Sequence, residues 1–303
     1  MFQKILVPLD GSALSEQTLG YAAAIAKAAS GSLILLHVVD TAALEQTGQM
    51  WVELPSLKQI VDEEIARAET YLQSVKQRLE AQGLKVETHT GIGPPASVIE
   101  SVVAEVKPDL VAMSTHGRGG VARMVLGSVA DKVIHDTVVP LLLYRPTEGT
   151  PATAAIKNII VPLDGSTLAE QSLPVAEDFA KAFNAGITLF RAVSTYTFAF
   201  AEPYPYGGAE VSVELLEAIE QEADDYVNTQ ATALRAKGFV VDPKRMLGDP
   251  ATLLVDLAHD TADSLTVITS HGRSGVVRTI LGSVADRVVR NSGRPVLVVR
   301  VKE

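Results

Sequence analysis

The chain has 303 residues, a length that suits two domains better than one, and its 47% hydrophobic content can bury cores, which excludes a disordered chain. The net charge of −10 argues against non-specific binding to nucleic acid or to a membrane surface. The lack of cysteine excludes disulfides, thiol catalysis and Cys-ligated metals, and the six histidines form no ligand motif, so we expect no metal site. With no signal-peptide pattern and no membrane-length apolar run, we expect a cytoplasmic protein.

The first half of the chain alternates short β-rich segments with helical patterns. The predicted strands are Lys4–Leu9, Ser32–Val39, Lys85–Thr90, Leu110–Ser114 and Pro140–Tyr144. The predicted helices are Ser15–Ala29, about Leu57–Gln82, Pro95–Val106 and Ser128–Asp136. Apolar strands separated by helices favour a parallel sheet that is covered on both faces.

The second half of the chain repeats the first. Lys4–Leu19 and Asn158–Leu173 agree at 11 of 16 positions, and His116–Asp131 and His271–Asp286 agree at 12 of 16. The repeated strands are Asn158–Leu163, Gly186–Ala192, Phe239–Arg245, Ser264–Thr269 and Pro295–Arg300. We therefore predict a tandem α/β protein with a first domain at 1–146, a linker at 147–156 and a second domain at 157–303. Right-handed crossovers make each domain a doubly wound, Rossmann-like sandwich with five parallel strands.

Two repeated segments fall where such a sheet binds ligands, beyond the carboxyl ends of its strands. One is Val7–Ser12, which closes the first strand, and its copy is Val161–Ser166. The carboxylates of Asp10 and Asp164 in these segments could accept hydrogen bonds from a base or a ribose, or could face a cation. The alternative is an Asx-turn or a helix cap.

The other repeated segment follows the fourth strand and has the features of an anion site. Gly117 lets backbone amides approach a ligand, and Gly127 and Ser128 open a helix whose first N–H groups lack partners. Arg118 adds positive charge. The alternative is that these residues form only a turn and an N-cap. No Walker lysine motif and no Ser/His/Asp order occur, so a P-loop ATPase and a hydrolase triad are excluded.

With these motifs the chain resembles a tandem universal stress protein, with two UspA-type domains of adenine nucleotide alpha hydrolase-like fold. The nucleotide-binding branch of that family carries the pattern G-x-x-G-x9-G-[S/T]. The chain matches it at Gly117, Gly127 and Ser128, and again at Gly272, Gly282 and Ser283. It departs from the pattern at the first glycine, which is Ser114 in one half and Thr269 in the other.

The resemblance implies one adenine-nucleotide site in each half. In the first half the implied residues are Pro8, Asp10, Val38, Met113, Gly117, Arg118, Gly127, Ser128 and Val129. In the second half they are Pro162, Asp164, Ala192, Gly272, Arg273, Gly282, Ser283 and Val284. By this resemblance Asp10 and Val38 would border adenine and ribose, the glycines with Ser128 and Val129 would hold the phosphates, and Met113 would line the pocket. The second-half residues would have the equivalent roles.

The implied function is a stress-response sensor or scaffold that binds ATP, with or without Mg²⁺, in one or both halves. Two alternatives stay open: a nucleotide-free scaffold for protein partners, and slow ATP hydrolysis or phosphate transfer in the same pocket. The resemblance also implies a homodimer formed through the last strand of each domain, and an unidentified protein partner.

Overall fold

A computed structural model describes residues 2–41, 55–115, 126–145, 154–194, 213–270 and 281–300. The chain divides into two units, one ending at Ala155 and the other beginning at Ile156. Each unit is an α/β domain built on parallel strands, which confirms the predicted fold class. The predicted linker overlaps residues 146–153, which lie outside the described residues.

The first unit follows the predicted order of elements. In chain order they are β1 (Lys4–Leu9), α1 (Ala13–Ala28), β2 (Ser32–Val39), α2 (Pro55–Glu80), β3 (Lys85–Ile92), α3 (Pro95–Val106), β4 (Leu110–Ser114), α4 (Ser128–Asp136) and β5 (Leu141–Tyr144). The strands lie in the order β3-β2-β1-β4-β5, and every pair is parallel.

The second unit has the same order of elements, except that its first helix is divided into two. Its elements are β6 (Asn158–Pro162), α5 (Thr167–Glu170), α6 (Leu173–Phe183), β7 (Gly186–Val193), α7 (Val213–Ala236), β8 (Val241–Leu247), α8 (Pro250–Asp260), β9 (Ser264–Thr269), α9 (Ser283–Asn291) and β10 (Val296–Val299). The strand order is β10-β9-β6-β7-β8, again parallel throughout.

The central strands are apolar throughout because helices cover them. Helix α1 packs on β1 and β4, and α2 packs on β2 and β3, while α3 and α4 pack against each other. Ile5, Leu6 and Val7 of β1 are fully buried, and so are Ile159, Ile160 and Val161 of β6. Burial on this scale holds the strands rigid, and their carboxyl ends then fix where the following loops begin.

Within the described part of the chain, β3 lies at one edge of the first sheet and β8 lies at one edge of the second. Strand β8 carries Pro243, which lies opposite Leu189 of β7. Proline is tolerated at an edge because its missing N–H costs no hydrogen bond inside the sheet.

Candidate functional site

The site lies at the switch point of each sheet. In the first unit β1 lies between β2 and β4, so the chain leaves β1 towards one side of the sheet and returns through β4 on the other. The loops that follow β1 and β4 therefore diverge and open a crevice between them. Strand β6 holds the same position between β7 and β9 in the second unit.

The loop after β1 is an Asx-turn that also caps α1. The Asp10 Oδ1 atom accepts hydrogen bonds from the Ser12 N–H at 2.9 Å and the Ser12 hydroxyl at 2.6 Å. The Ser12 Oγ in turn accepts from the Ser15 N–H at 3.1 Å. Gly11 has a φ of 82°, which explains the need for glycine inside this turn. A carboxylate can accept several hydrogen bonds, so the turn is compatible with a ligand contact at Asp10.

The second unit builds the same turn with matching distances. Asp164 Oδ1 accepts from the Ser166 N–H at 2.9 Å and from its hydroxyl at 2.6 Å, and Ser166 Oγ accepts from the Ala169 N–H at 3.1 Å. Gly165 has a φ of 84°. Both aspartates are half-buried, so their carboxylates lie at the surface of the crevice rather than in the core.

The other wall of the crevice is the N-terminus of α4. The Gly127 N–H donates to the Thr115 carbonyl at 2.9 Å, and this bond pulls the helix start against the chain leaving β4. A Cβ at Gly127 would lie 2.9 Å from the same carbonyl oxygen, so only glycine fits. Gly127 provides no side-chain cap, and Ser128 is exposed at the first helical position. The first amides of α4 and its dipole thus offer donors to an anion.

Helix α9 begins in the same way. The Gly282 N–H donates to the Ser270 carbonyl at 2.8 Å, and Ser283 is exposed. The two positions that depart from the family pattern end β4 and β9: Ser114 is 9% exposed and Thr269 is 5% exposed. Their side chains are therefore packed mainly within the protein.

The remaining predicted residues lie near the carboxyl ends of the strands or at the helix starts that follow them. Val38 stands opposite Gly91 near the end of β2, and Met113 stands opposite Leu143 near the end of β4. Half-buried residues complete the set: Pro8 and Pro162 in the first strands, Ala192 near the end of β7, and Val129 and Val284 at the starts of α4 and α9. Gly117, Arg118, Gly272 and Arg273 lie outside the described residues.

Beside each aspartate lies a cluster that the sequence motifs do not include. In the first unit the His37 ring meets Tyr71 edge-on, with ring centroids 5.7 Å apart. Burial, the neighbouring Glu16 and the Asp10 carboxylate raise the pKa of Tyr71. Glu16 is held by Arg78, whose Nη2 lies 2.6 Å from Glu16 Oε2.

The second unit keeps the tyrosine and the glutamate but replaces the histidine. The Tyr226 hydroxyl donates to Glu170 Oε1 at 2.8 Å, and the guanidinium of Arg191 lies 5.2 Å from the centre of the Tyr226 ring. Burial, Glu170 and Asp164 raise the pKa of Tyr226, and Arg191 opposes them. The repeat itself carried a signal for this cluster, since glutamate and tyrosine recur at matching positions of both halves.

The described residues hold neither a metal-ligand cluster nor a membrane-spanning helix. No cluster of three or more histidine, aspartate or glutamate side chains there has the arrangement of a metal site. Within the same residues, no helix combines the length and hydropathy needed to span a membrane.

Comparison with known proteins adds relatives over the full length of the chain. Universal stress protein Rv2005c of Mycobacterium tuberculosis (strain ATCC 25618 / H37Rv) is 25% identical over 303 residues, which cover 98% of this chain and 96% of that protein. The crystal structure of a universal stress protein from Archaeoglobus fulgidus DSM 4304 has a TM-score of 0.67 at 22% identity and covers 98% of both chains, which shows the fold.

A universal stress protein solved in complex with cAMP is 23% identical to this chain, with a TM-score of 0.36, and covers 48% of this chain and 98% of its own. The model of the universal stress protein family matches twice, at residues 1–145 and 155–300. The chain therefore belongs to the universal stress protein family, as a tandem of two such domains.

Proposed function

We propose that each unit binds an adenine nucleotide in its crevice, ATP with or without Mg²⁺, and that the chain is a stress-response sensor or scaffold whose state depends on that nucleotide. The observation that carries the proposal is the duplication of one geometry. In both units an aspartate turn follows the first strand and a glycine-started helix follows the neighbouring fourth strand, with hydrogen-bond lengths that agree within 0.1 Å.

The residues present fit the parts of a nucleotide. Asp10 and Asp164 would accept hydrogen bonds from the ribose or the base, with Val38 and Ala192 beside them. The amides that open α4 and α9, together with Ser128 and Ser283, would hold the phosphates. The fit of this end rests on Gly127, because a Cβ there would collide with the Thr115 carbonyl and push the helix start away from the strand. Mg²⁺, where present, would neutralise phosphate charge.

The test is mass spectrometry of the nucleotide released when freshly purified full-length protein is denatured, quantified per chain. Roughly two adenine nucleotides per chain are expected, since both units carry the turn and the helix start. About one would place the site in a single unit, which Gly127→Val and Gly282→Val would identify by which one removes it. The absence of any nucleotide, together with no thermal shift on adding ATP and Mg²⁺, would overturn the proposal and favour a nucleotide-free scaffold.

The same samples test the alternative of slow hydrolysis. Conversion of ATP to ADP that persists through purification and falls with Ser128→Ala would favour an enzyme. The cytoplasmic location, the homodimer through the last strands and the protein partner stay predictions from the sequence.

A further inference from the structure

The clusters beside the two aspartate turns share a glutamate and a tyrosine but differ at the end of the second strand. Glu16 and Tyr71 in the first unit correspond to Glu170 and Tyr226 in the second, 154 and 155 residues further along the chain. At the end of the second strand, however, the first unit has His37 and the second has Arg191. Both side chains are buried, to 8% and 5% exposure.

The Arg191 guanidinium packs directly on the turn that carries Asp164. A Cβ built on Gly165 would lie 2.6 Å from Arg191 Nη1 and 3.2 Å from Nη2. The guanidinium therefore occupies the space where a side chain of residue 165 would be, in van der Waals contact with the turn's backbone. Because Gly165 lies between Asp164 and Ser166, this contact supports the hydrogen-bonded ring of the turn from outside.

The Arg191 guanidinium also contacts α7. Its central carbon lies 5.2 Å from the Tyr226 ring centre, within the range of a cation–π contact. Tyr226 is fixed by its hydrogen bond to Glu170, which also accepts from Gln230 Nε2 at 3.2 Å. The guanidinium is also paired with the exposed Glu222, at 3.7 Å from Nη2. The planar group is thus clamped between a fixed aromatic ring and the turn.

The first unit places another planar group at the same point. His37 stands opposite Leu9, one residue before Asp10, and its ring meets Tyr71 at 68°. Imidazole and guanidinium differ in size and in charge, since arginine is always charged whereas imidazole is charged only when it is protonated. What the two share is a flat side chain held by the tyrosine.

We propose that Arg191 is a positioning residue for the nucleotide site of the second unit: its plane, clamped by Tyr226, holds the Asp164–Ser166 turn in its binding geometry. This inference rests on the proposed function for its binding consequence, but its structural half, the rigidity of the turn, can be measured without nucleotide.

The test compares Arg191→His, Arg191→Lys and Arg191→Ala in the full chain. Histidine keeps a planar side-chain group. Lysine keeps the positive charge but has no planar group, and alanine has neither. By hydrogen exchange, we expect the amides of residues 164–167 to open about tenfold more often in the alanine and lysine variants, and as in the parent in the histidine variant. The exchange of β6 and β7 should not change, which separates a loosened turn from general destabilisation.

The second readout is the dissociation constant of ATP at the second unit, measured with the first site disabled by Gly127→Val. We expect it to rise about tenfold for alanine and lysine and to stay within about threefold for histidine. An alanine variant equal to the parent in both readouts would overturn the inference. So would a lysine variant that keeps both properties while histidine loses them, because charge would then be the cause. If the exchange pattern holds but the parent binds no adenine nucleotide, the proposed function falls and the role of Arg191 in the turn stands.

Discussion

Gly127 lies at the closest approach between the start of α4 and the chain leaving β4. A methyl group at this position would lie 2.9 Å from the Thr115 carbonyl oxygen, a backbone atom that cannot rotate away. Thr115 is itself tied down, because its N–H donates to the Tyr144 carbonyl at 2.9 Å. The helix start must therefore move if residue 127 gains a side chain, and the amides that we assign to the phosphates move with it.

We predict that Gly127→Ala lowers the free energy of unfolding by about 1–3 kcal/mol, the usual cost of forcing extra atoms into a packed site. Urea denaturation checks this. Gly186→Ala is the matched control, because the nearest atoms to a new Cβ there, on Asn158 and Val240, are 3.9 Å away. Equal stability of the two variants would contradict the packing argument.

The residues of the crevice differ in how far the sequence alone could identify them. Asp10 and Gly127 were predictable because each lies in a short segment that recurs almost unchanged in the second half. The contact of Arg191 with Tyr226 could not be predicted from the sequence, because the two residues are 35 positions apart and meet only when α7 packs on β7. The sequence does not decide the turn geometry of Asp10, because an Asx-turn and a ligand contact use the same residue type.

At the scale of elements, α3 and α4 carry two acidic side chains at their contact. Glu100 is half-buried, and the described residues offer its Oε1 no hydrogen-bond partner. Burial, a hydrogen bond from the protonated Glu100 to Asp136 and the charge of Asp136 raise the pKa of Glu100, while Lys132 opposes them. A carboxyl group whose pKa is raised on folding stabilises the protein below its unfolded pKa, and this contribution is lost as the pH rises through the folded value.

Glu100→Gln should therefore raise the melting temperature at pH 7, because an amide can donate to Asp136 without adding a second negative charge. The gain should shrink as the pH falls below 7, because Glu100 itself then becomes protonated. Scanning calorimetry across this pH range measures it. Glu105→Gln, the same charge change at an exposed position of α3, is the control. A pH-independent difference between the two variants would rule out the carboxyl pair as the cause.

The observed limits of the strands and helices show which of them local sequence patterns can predict. Most strands begin and end close to their predicted limits, because buried apolar runs are bounded by turn residues. The second unit departs at its first helix, which is split into α5 and α6: Pro174 stands where α1 has Gly20, and it begins a new helix. Strand β8 starts at Val241, two residues after the predicted Phe239. The ring of Phe239 lies 5.4 Å from the ammonium group of Lys181. That contact joins distant parts of the chain, and no local pattern reveals it.

At the scale of the whole molecule, each unit has the elements of an independent domain. Each has five parallel strands, its own helices and its own fully buried side chains, Leu72 and Leu110 in the first and Phe179 and Phe190 in the second. About 150 residues is also a common size for a domain with a single core.

We predict that a chain ending at Ala155 and a chain beginning at Ile156 each fold when produced separately. Each should show cooperative thermal unfolding by circular dichroism and the hydrogen-exchange protection that its strands have in the full chain. Each should also keep the nucleotide occupancy of its own crevice. A fragment without cooperative unfolding would mean that its fold depends on the other unit, and the domain boundaries predicted from the repeat would then need revision.

The proline in β8 affects whether strands of other molecules can add to this edge of the sheet. An open sheet edge is a template on which strands of other molecules can add, and such growth leads to fibrils. Any strand that approached β8 would meet a position without an N–H at Pro243, flanked by the charged pair of Asp242 and Lys244, whose Nζ and Oδ2 atoms are 3.4 Å apart. On β3 it would meet Lys85 and Glu87, both exposed. Both of these edge strands therefore discourage the addition of strands from other molecules.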